Sequence, residues 1–83
     1  MPEPKKNQIY RHYKGKEYEI IGCGHHTETL EKYVIYRALY LDPQYGNEAI
    51  WIRPLTMFQE HITINNIVQL RFQLIKDNIN LNN

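Results

Sequence analysis

The longest apolar run in the chain is Tyr33-Val34-Ile35-Tyr36-Arg37-Ala38-Leu39-Tyr40, broken by the one charge of Arg37. It is too short for an amphipathic helix and is rich in Tyr, Val and Ile, so the pattern predicts a central β-strand from Tyr33 to Leu41. The segment that feeds it, His25 to Lys32, is polar and reads as a turn held on a rigid support. Upstream, Ile9 to Tyr13 and Tyr18 to Cys23 flank Lys14-Gly15-Lys16, the form of a β-hairpin with Gly15 at a position that needs φ > 0. Gly22 and Gly24 fall two apart on one strand face, which suggests a bend. Downstream, Asp42 to Asn47 is a turn by composition. Ile50-Trp51-Ile52-Arg53 alternates, with the two isoleucines on one face and Trp51 with Arg53 on the other, and Pro54 ends it. Pro54 to Glu60 suits a single helical turn. Ile62-Thr63-Ile64 and Ile67-Val68 flank a two-residue Asn65-Asn66 turn. Val68, Leu70, Phe72 and Leu74 then alternate with polar residues, which favours strand; the helix formers among them leave a helix from Val68 open.

Five or six short strands with tight turns and one helical turn predict an all-β fold, a small SH3-like barrel, since closure removes exposed edges. Its core is expected to gather Ile20, Ile35, Ile52 and Phe72. The folded domain is placed at residues 8–75, with flexible tails at 1–7 and 77–83 that have no periodicity with which to dock. A chain of 83 residues makes one domain with a thin core.

Charge and cysteine usage narrow the partners. Ten Lys and Arg against nine Asp and Glu leave a net charge of +1, so a nucleic-acid partner is not favoured. The lone Cys23 cannot form an internal disulfide, which points to a reducing cytoplasm, and it reads as an inert core thiol. No stretch has the length of a membrane span or the form of a signal peptide, so no membrane association is expected.

Several blocks occur in order: Tyr10-Arg11-His12-Tyr13-Lys14-Gly15, His26-Thr27-Glu28-Thr29, Val34 to Tyr40, Trp51-Ile52-Arg53-Pro54 with Met57-Phe58, and Arg71-Phe72. Over roughly residues 8 to 75 this resembles the small bacterial family catalogued as domain of unknown function 1653. The resemblance implies a bacterial source and brings no activity, cofactor or partner with it. The chain departs from the expected pattern in the hairpin after Phe58, where Asn65-Asn66 stands in place of a glycine; Asn also tolerates φ > 0.

Candidate chemistry starts with His26-Thr27-Glu28-Thr29. On an extended segment His26 and Glu28 share a side, and a carboxylate beside an imidazole is the arrangement of a general base. The competing reading is a turn whose side chains satisfy local backbone donors. Trp51 and Arg53, on one strand face, make a stacking and anion-binding surface, or else a structural stack. Arg37 is a charge inside an apolar strand and needs a partner, for which Glu28 is the expected carboxylate. Tyr10, Tyr13, Tyr18, Tyr36 and Tyr40 read as core bodies with rim hydroxyls or as the walls of an aromatic pocket. His12, His25, His26 and His61 have no metal-ligand spacing, so no metal and no cofactor is expected.

These readings converge on a binding module rather than an enzyme. Its ligand is expected to be a small polar or anionic molecule or a short peptide, held by His26, Thr27, Glu28, Thr29, Tyr36, Arg37, Trp51 and Arg53. A nucleic-acid-binding barrel and an enzyme using the His26–Glu28 pair are the alternatives.

Overall fold

A computed structural model describes residues 2–77. The elements run in the order β1 (Ile9–His12), β2 (Glu17–His25), β3 (Lys32–Ala38), β4 (Leu41–Asp42), β5 (Gly46–Asn47), β6 (Ile50–Pro54), α1 (Leu55–Phe58), β7 (His61–Ile64), β8 (Ile67–Leu70) and β9 (Phe72–Lys76). The fold is therefore mostly β with one four-residue helix. Five strands form an antiparallel sheet in the order β6-β3-β2-β1-β9, while β4–β5 and β7–β8 are separate two-stranded ribbons.

The turns follow from the residues that occupy them. Gly15 takes φ 107 between β1 and β2, where a side chain would be strained. Asn65 and Asn66 take φ 51 and 66, and Ile64 pairs with Ile67 across them. Positive φ at both central residues is the geometry that suits the twist of a two-residue hairpin.

Register decides which side chains meet. Tyr36 stands opposite Ile20 on β2 and Trp51 on β6, and His12 stands opposite Phe72. One face of the sheet thus carries Tyr10, Tyr18, Ile20, Val34, Tyr36, Trp51, Arg53 and Phe72. Ile20, Val34, Tyr36, Phe58 and Phe72 form the buried cluster. Pro54 starts α1, which lays Phe58 flat on Phe72 at 4.1 Å between ring centres and edge-on to Tyr10 at 5.2 Å. Three of the five cluster residues are aromatic, so ring packing supplies much of this thin core.

Four expectations from the sequence are corrected. The sheet does not close into a barrel: β6 and β9 are its two edges, and nothing among the described residues pairs them. The reason lies in the run from Val68 to Leu74, which is not one long strand. A bend at Arg71 assigns Val68 and Leu70 to the β7–β8 ribbon and leaves Phe72 and Leu74 to β9.

Ile35 and Ile52 do not join Ile20 and Phe72 in the core. They pair with each other on the opposite face, where Ile52 is 66% exposed. Strand period two makes the choice binary, and the larger aromatic pair, Tyr36 and Trp51, took the inner side.

Cys23 is exposed. A register shift between Ile20 and Gly22 sets it opposite Val34 on the inner side but outside the buried cluster, where its thiol meets the Pro4 carbonyl at 3.5 Å.

The N-terminal residues dock. Pro4 and Gln8 are buried. Asn7 N–H donates to Ile20 C=O at 2.8 Å and Ile20 N–H to Gln8 C=O at 2.8 Å. Gln8 Nε2 donates to Asp77 at 2.8 Å, and Lys32 meets Glu3 at 2.8 Å. The expected C-terminal tail lies, from residue 78 on, outside the described residues.

Candidate functional site

The inner face of the sheet is filled by Phe58 at one end and left open at the other. The opening is a cleft of about 420 Å³ bounded by His12, Lys14, Lys16, Tyr18, Tyr36, Tyr40, Asp42, Trp51, Arg53 and Phe72, a volume within the range of small-ligand sites. The β1–β2 turn supplies the two lysines. The inward positions of β1, β2, β3, β6 and β9 supply His12, Tyr18, Tyr36, Trp51, Arg53 and Phe72.

Arg53 is the anomaly. Of the chain's four arginines, Arg11 pairs with Glu17 at 2.8 Å, Arg37 with Glu19 at 2.6 Å and Arg71 with Glu60 at 3.0 Å. Among the described residues Arg53 has no carboxylate partner. Its Nε donates to the Tyr36 hydroxyl at 3.3 Å, and its guanidinium lies 5.4 Å from the centre of the Phe72 ring. A half-buried guanidinium is fixed in place this way with its terminal nitrogens uncommitted.

The surrounding groups are mainly donors. Trp51 Nε1–H is buried with no hydrogen-bond partner, and the Tyr45 ring meets the indole edge-on at 5.2 Å. Lys16 lies 4.5 Å over the Tyr40 ring. The Tyr18 and Tyr40 hydroxyls share a 2.7 Å hydrogen bond, and burial, then that bond, pushes the Tyr18 phenol up, so it stays protonated. His12 Nδ1 accepts Lys14 N–H at 3.2 Å, which leaves Nε2 to carry the proton of the neutral ring. Burial, followed by the charges of Arg53, Arg71 and Lys14, lowers the His12 pKa. The one carboxylate in the wall, Asp42, accepts the N–H groups of Gln44 at 2.8 Å and Tyr45 at 2.9 Å in its own turn. The cleft therefore presents the cations of Lys14, Lys16 and Arg53 among aromatic rings, a setting for an oxyanion on a planar or extended ligand.

Of the residues expected to form a site, Tyr36, Trp51 and Arg53 come together here and the others do not. His26-Thr27-Glu28-Thr29 lies in the turn at the far end of β2 and β3. There His26 Nδ1 accepts Glu28 N–H at 3.1 Å and Thr29 N–H at 3.3 Å. The Glu28 carboxylate takes the Thr27 hydroxyl at 3.3 Å, and Thr29 Oγ1 accepts Glu31 N–H at 3.2 Å. The turn spends these side chains on its own backbone donors.

Arg37 sits on the outer face and does not partner Glu28. Glu19 stands directly opposite it, and Glu48 is a second carboxylate at 3.8 Å. Arg37 is five strand residues from Lys32, roughly 17 Å at the usual rise, which puts Glu28 out of reach. Glu19 and Arg37 are a cross-strand pair that only register reveals.

Tyr18 and Tyr40, which the sequence offered as core bodies or pocket walls, also line the cleft, whereas His12, Lys14, Lys16 and Asp42 were not marked as site residues. A signal was present in Lys14-Gly15-Lys16, a tight turn with a cation on each side of the glycine next to a strand carrying His12.

The comparisons agree on the family. A family model described as a protein of unknown function (DUF1653) matches residues 8–74. The crystal structure of a protein belonging to DUF1653 from Bordetella bronchiseptica is similar, with a TM-score of 0.74 and 28% identity, over 96% of this chain and 94% of that one. No curated protein matches the chain.

Proposed function

Because the chain belongs to the DUF1653 family, whose description names no chemistry, we propose from the cleft itself that the domain is a binding module for an anionic group presented beside a planar or extended body. The ligand is a small polar or anionic molecule or a short peptide. The observation that carries the reading is the unpaired guanidinium of Arg53, anchored by Tyr36 and set among aromatic rings with Lys14 and Lys16 in the same cleft. A charge at that depth without a carboxylate partner is costly unless a ligand supplies the counter-charge. The finer likeness to an SH3-like barrel rests on the one-turn helix that follows β6 and precedes the last hairpin. The alternative of a His26–Glu28 enzyme lacks a comparable arrangement, since His26 Nδ1 is engaged by backbone N–H groups.

Phenyl phosphate is the test probe, with inorganic phosphate and phenol as its two halves. Titration followed by NMR should show phenyl phosphate binding most tightly, phenol not at all, and the shifts centred on Trp51, Arg53 and Tyr36. Arg53→Met should weaken binding about 10- to 100-fold, the loss of a charge-assisted hydrogen bond. Binding of phenol equal to that of phenyl phosphate would overturn the reading. Much tighter binding of oligothymidylate, with a steep salt dependence, would replace it with nucleic-acid binding.

A further inference from the structure

The cleft reading leaves open what carries the anion, and the edge of β6 answers that question. Ala38 N–H donates to Ala49 C=O at 2.8 Å, and the same register continues through Arg37↔Ile50, Tyr36↔Trp51 and Val34↔Arg53. Main-chain groups alternate in direction along an antiparallel pair. Trp51 and Arg53 therefore turn their N–H and C=O groups toward β3, as Ala49 does. Ile50, Ile52 and Pro54 turn theirs away, and Pro54, with no N–H to offer, suits that side. No strand lies there among the described residues.

Such an edge is a template for another strand unless something blunts it. β9, the opposite edge, carries Lys76 and pairs with β1 through a register shift at Ile9/Tyr10. β6 pairs with β3 without a shift, and its edge-facing residues Ile50 and Ile52 are uncharged and 56% and 66% exposed.

We propose that the β6 edge is a docking site for an extended acidic segment of a partner protein, which adds to the sheet as a sixth strand and lays a carboxylate against Arg53. The proposal rests on the cleft reading above and names its occupant. Side chains of an added strand alternate between the two faces. Those opposite Trp51 and Arg53 enter the cleft, with Cβ atoms about 5 Å from those of their β6 neighbours. Those opposite Ile50 and Ile52 lie on the outer face, where Tyr33, Ile35 and Ile52 over Gly24 line a groove of about 240 Å³. The segment that fits alternates Asp or Glu with Ile, Val or Leu, and main-chain hydrogen bonds to Ile50 and Ile52 supply affinity that is independent of its sequence. A second copy of this chain fits less well. Pairing β6 with itself brings no carboxylate to either Arg53 and gathers two basic clefts at one seam.

A displayed library of random nonapeptides, sorted against the whole chain, tests this. Enrichment of acidic residues alternating with β-branched or aliphatic ones is expected. The enriched peptide, made synthetically, should slow hydrogen exchange of the Ile50 and Ile52 amides at least about tenfold. Arg53→Met and the edge-blocking Ile52→Lys should each weaken it at least about tenfold, while Ile52→Lys leaves phenyl phosphate binding unchanged. Phenyl phosphate binding without any enriched acidic peptide, or with peptide but no protection at Ile50 and Ile52, would overturn the strand-addition proposal and leave the cleft reading standing. Loss of all anion binding would overturn both. Protection of Ile50 and Ile52 without peptide, with a doubled mass in sedimentation, would assign the edge to a second copy instead.

Discussion

Arg53 and Tyr36 are adjacent in space because β6 runs beside β3, and the guanidinium Nε donates to the phenol oxygen at 3.3 Å. Tyr36 is 4% exposed and its ring packs edge-on to Phe58 at 5.5 Å and to Phe72 at 5.6 Å. A core aromatic therefore aims a cleft cation. Tyr36→Phe keeps the ring and removes the oxygen, so it should cost only about 1 kcal/mol of stability. It should weaken phenyl phosphate binding several-fold, because Arg53 loses its orientation. Urea unfolding and NMR titration on the one variant check both halves. Wild-type affinity in Tyr36→Phe would show that stacking on Phe72 alone holds Arg53.

The core partition makes a sharper contrast. Phe58 is 1% exposed and Ile52 66%. Phe58→Ala should cost about 3–5 kcal/mol, enough to unfold much of so small a domain. Ile52→Ala should stay within about 0.5 kcal/mol. Urea midpoints measure both, and a large loss at Ile52 would mean that its face is covered in the isolated domain.

Local pattern foretold the strands and their turns well, and the faces poorly. Asn65-Asn66, Gly15 and the Pro54 helical turn are set by residues that carry their own backbone preference, so sequence alone places them. Whether Trp51 or Ile52 faces inward depends on what β3 and α1 offer, and alternation cannot choose between two apolar faces. The same limit hid Glu19 as the partner of Arg37, since cross-strand register couples residues 18 apart. Of the candidate site, Tyr36, Trp51 and Arg53 were legible because an aromatic next to a cation on one strand face is a chemical pattern in itself. The lysines of the β1–β2 turn were not, because only the fold of the sheet brings that turn over Trp51.

Deleting residues 1–7 should destabilise the domain. The arm's Asn7 N–H bond to Ile20 C=O, the buried Pro4 and the Glu3–Lys32 contact all go. Ile20, fully buried, then has a carbonyl without its partner, and the loss should be on the order of 2 kcal/mol. Glu3→Gln alone should change stability little, because the pair is at the surface. Thermal melts of the truncated and full chains decide it, and an unchanged midpoint would show that the docked arm contributes nothing.

The last prediction concerns acid. His12 is flanked by Lys14, Arg53 and Arg71, its Nδ1 accepts Lys14 N–H, and burial first, then those charges, lowers its pKa from the ordinary 6.5. A second proton would have to enter at Nδ1 and break that bond. In the unfolded chain the imidazole takes up a proton near pH 6.5, whereas in the folded chain it does so only at lower pH. Between the two values the unfolded state holds more protons, so stability contributed by neutral His12 is complete above pH 6.5 and falls as the pH drops below it. His12→Gln removes this dependence and leaves every carboxylate in place. The stability difference between wild type and His12→Gln, from urea midpoints between pH 7.5 and 5, should therefore move against the wild type on acidification. Phenyl phosphate at saturation should reduce that movement, because an anion in the cleft offsets the field of Arg53 and Lys14 at the ring. Parallel pH profiles for the two proteins, or a His12 resonance titrating at or above 6.5 in the free domain, would sink the argument that the cleft's cations act on this histidine.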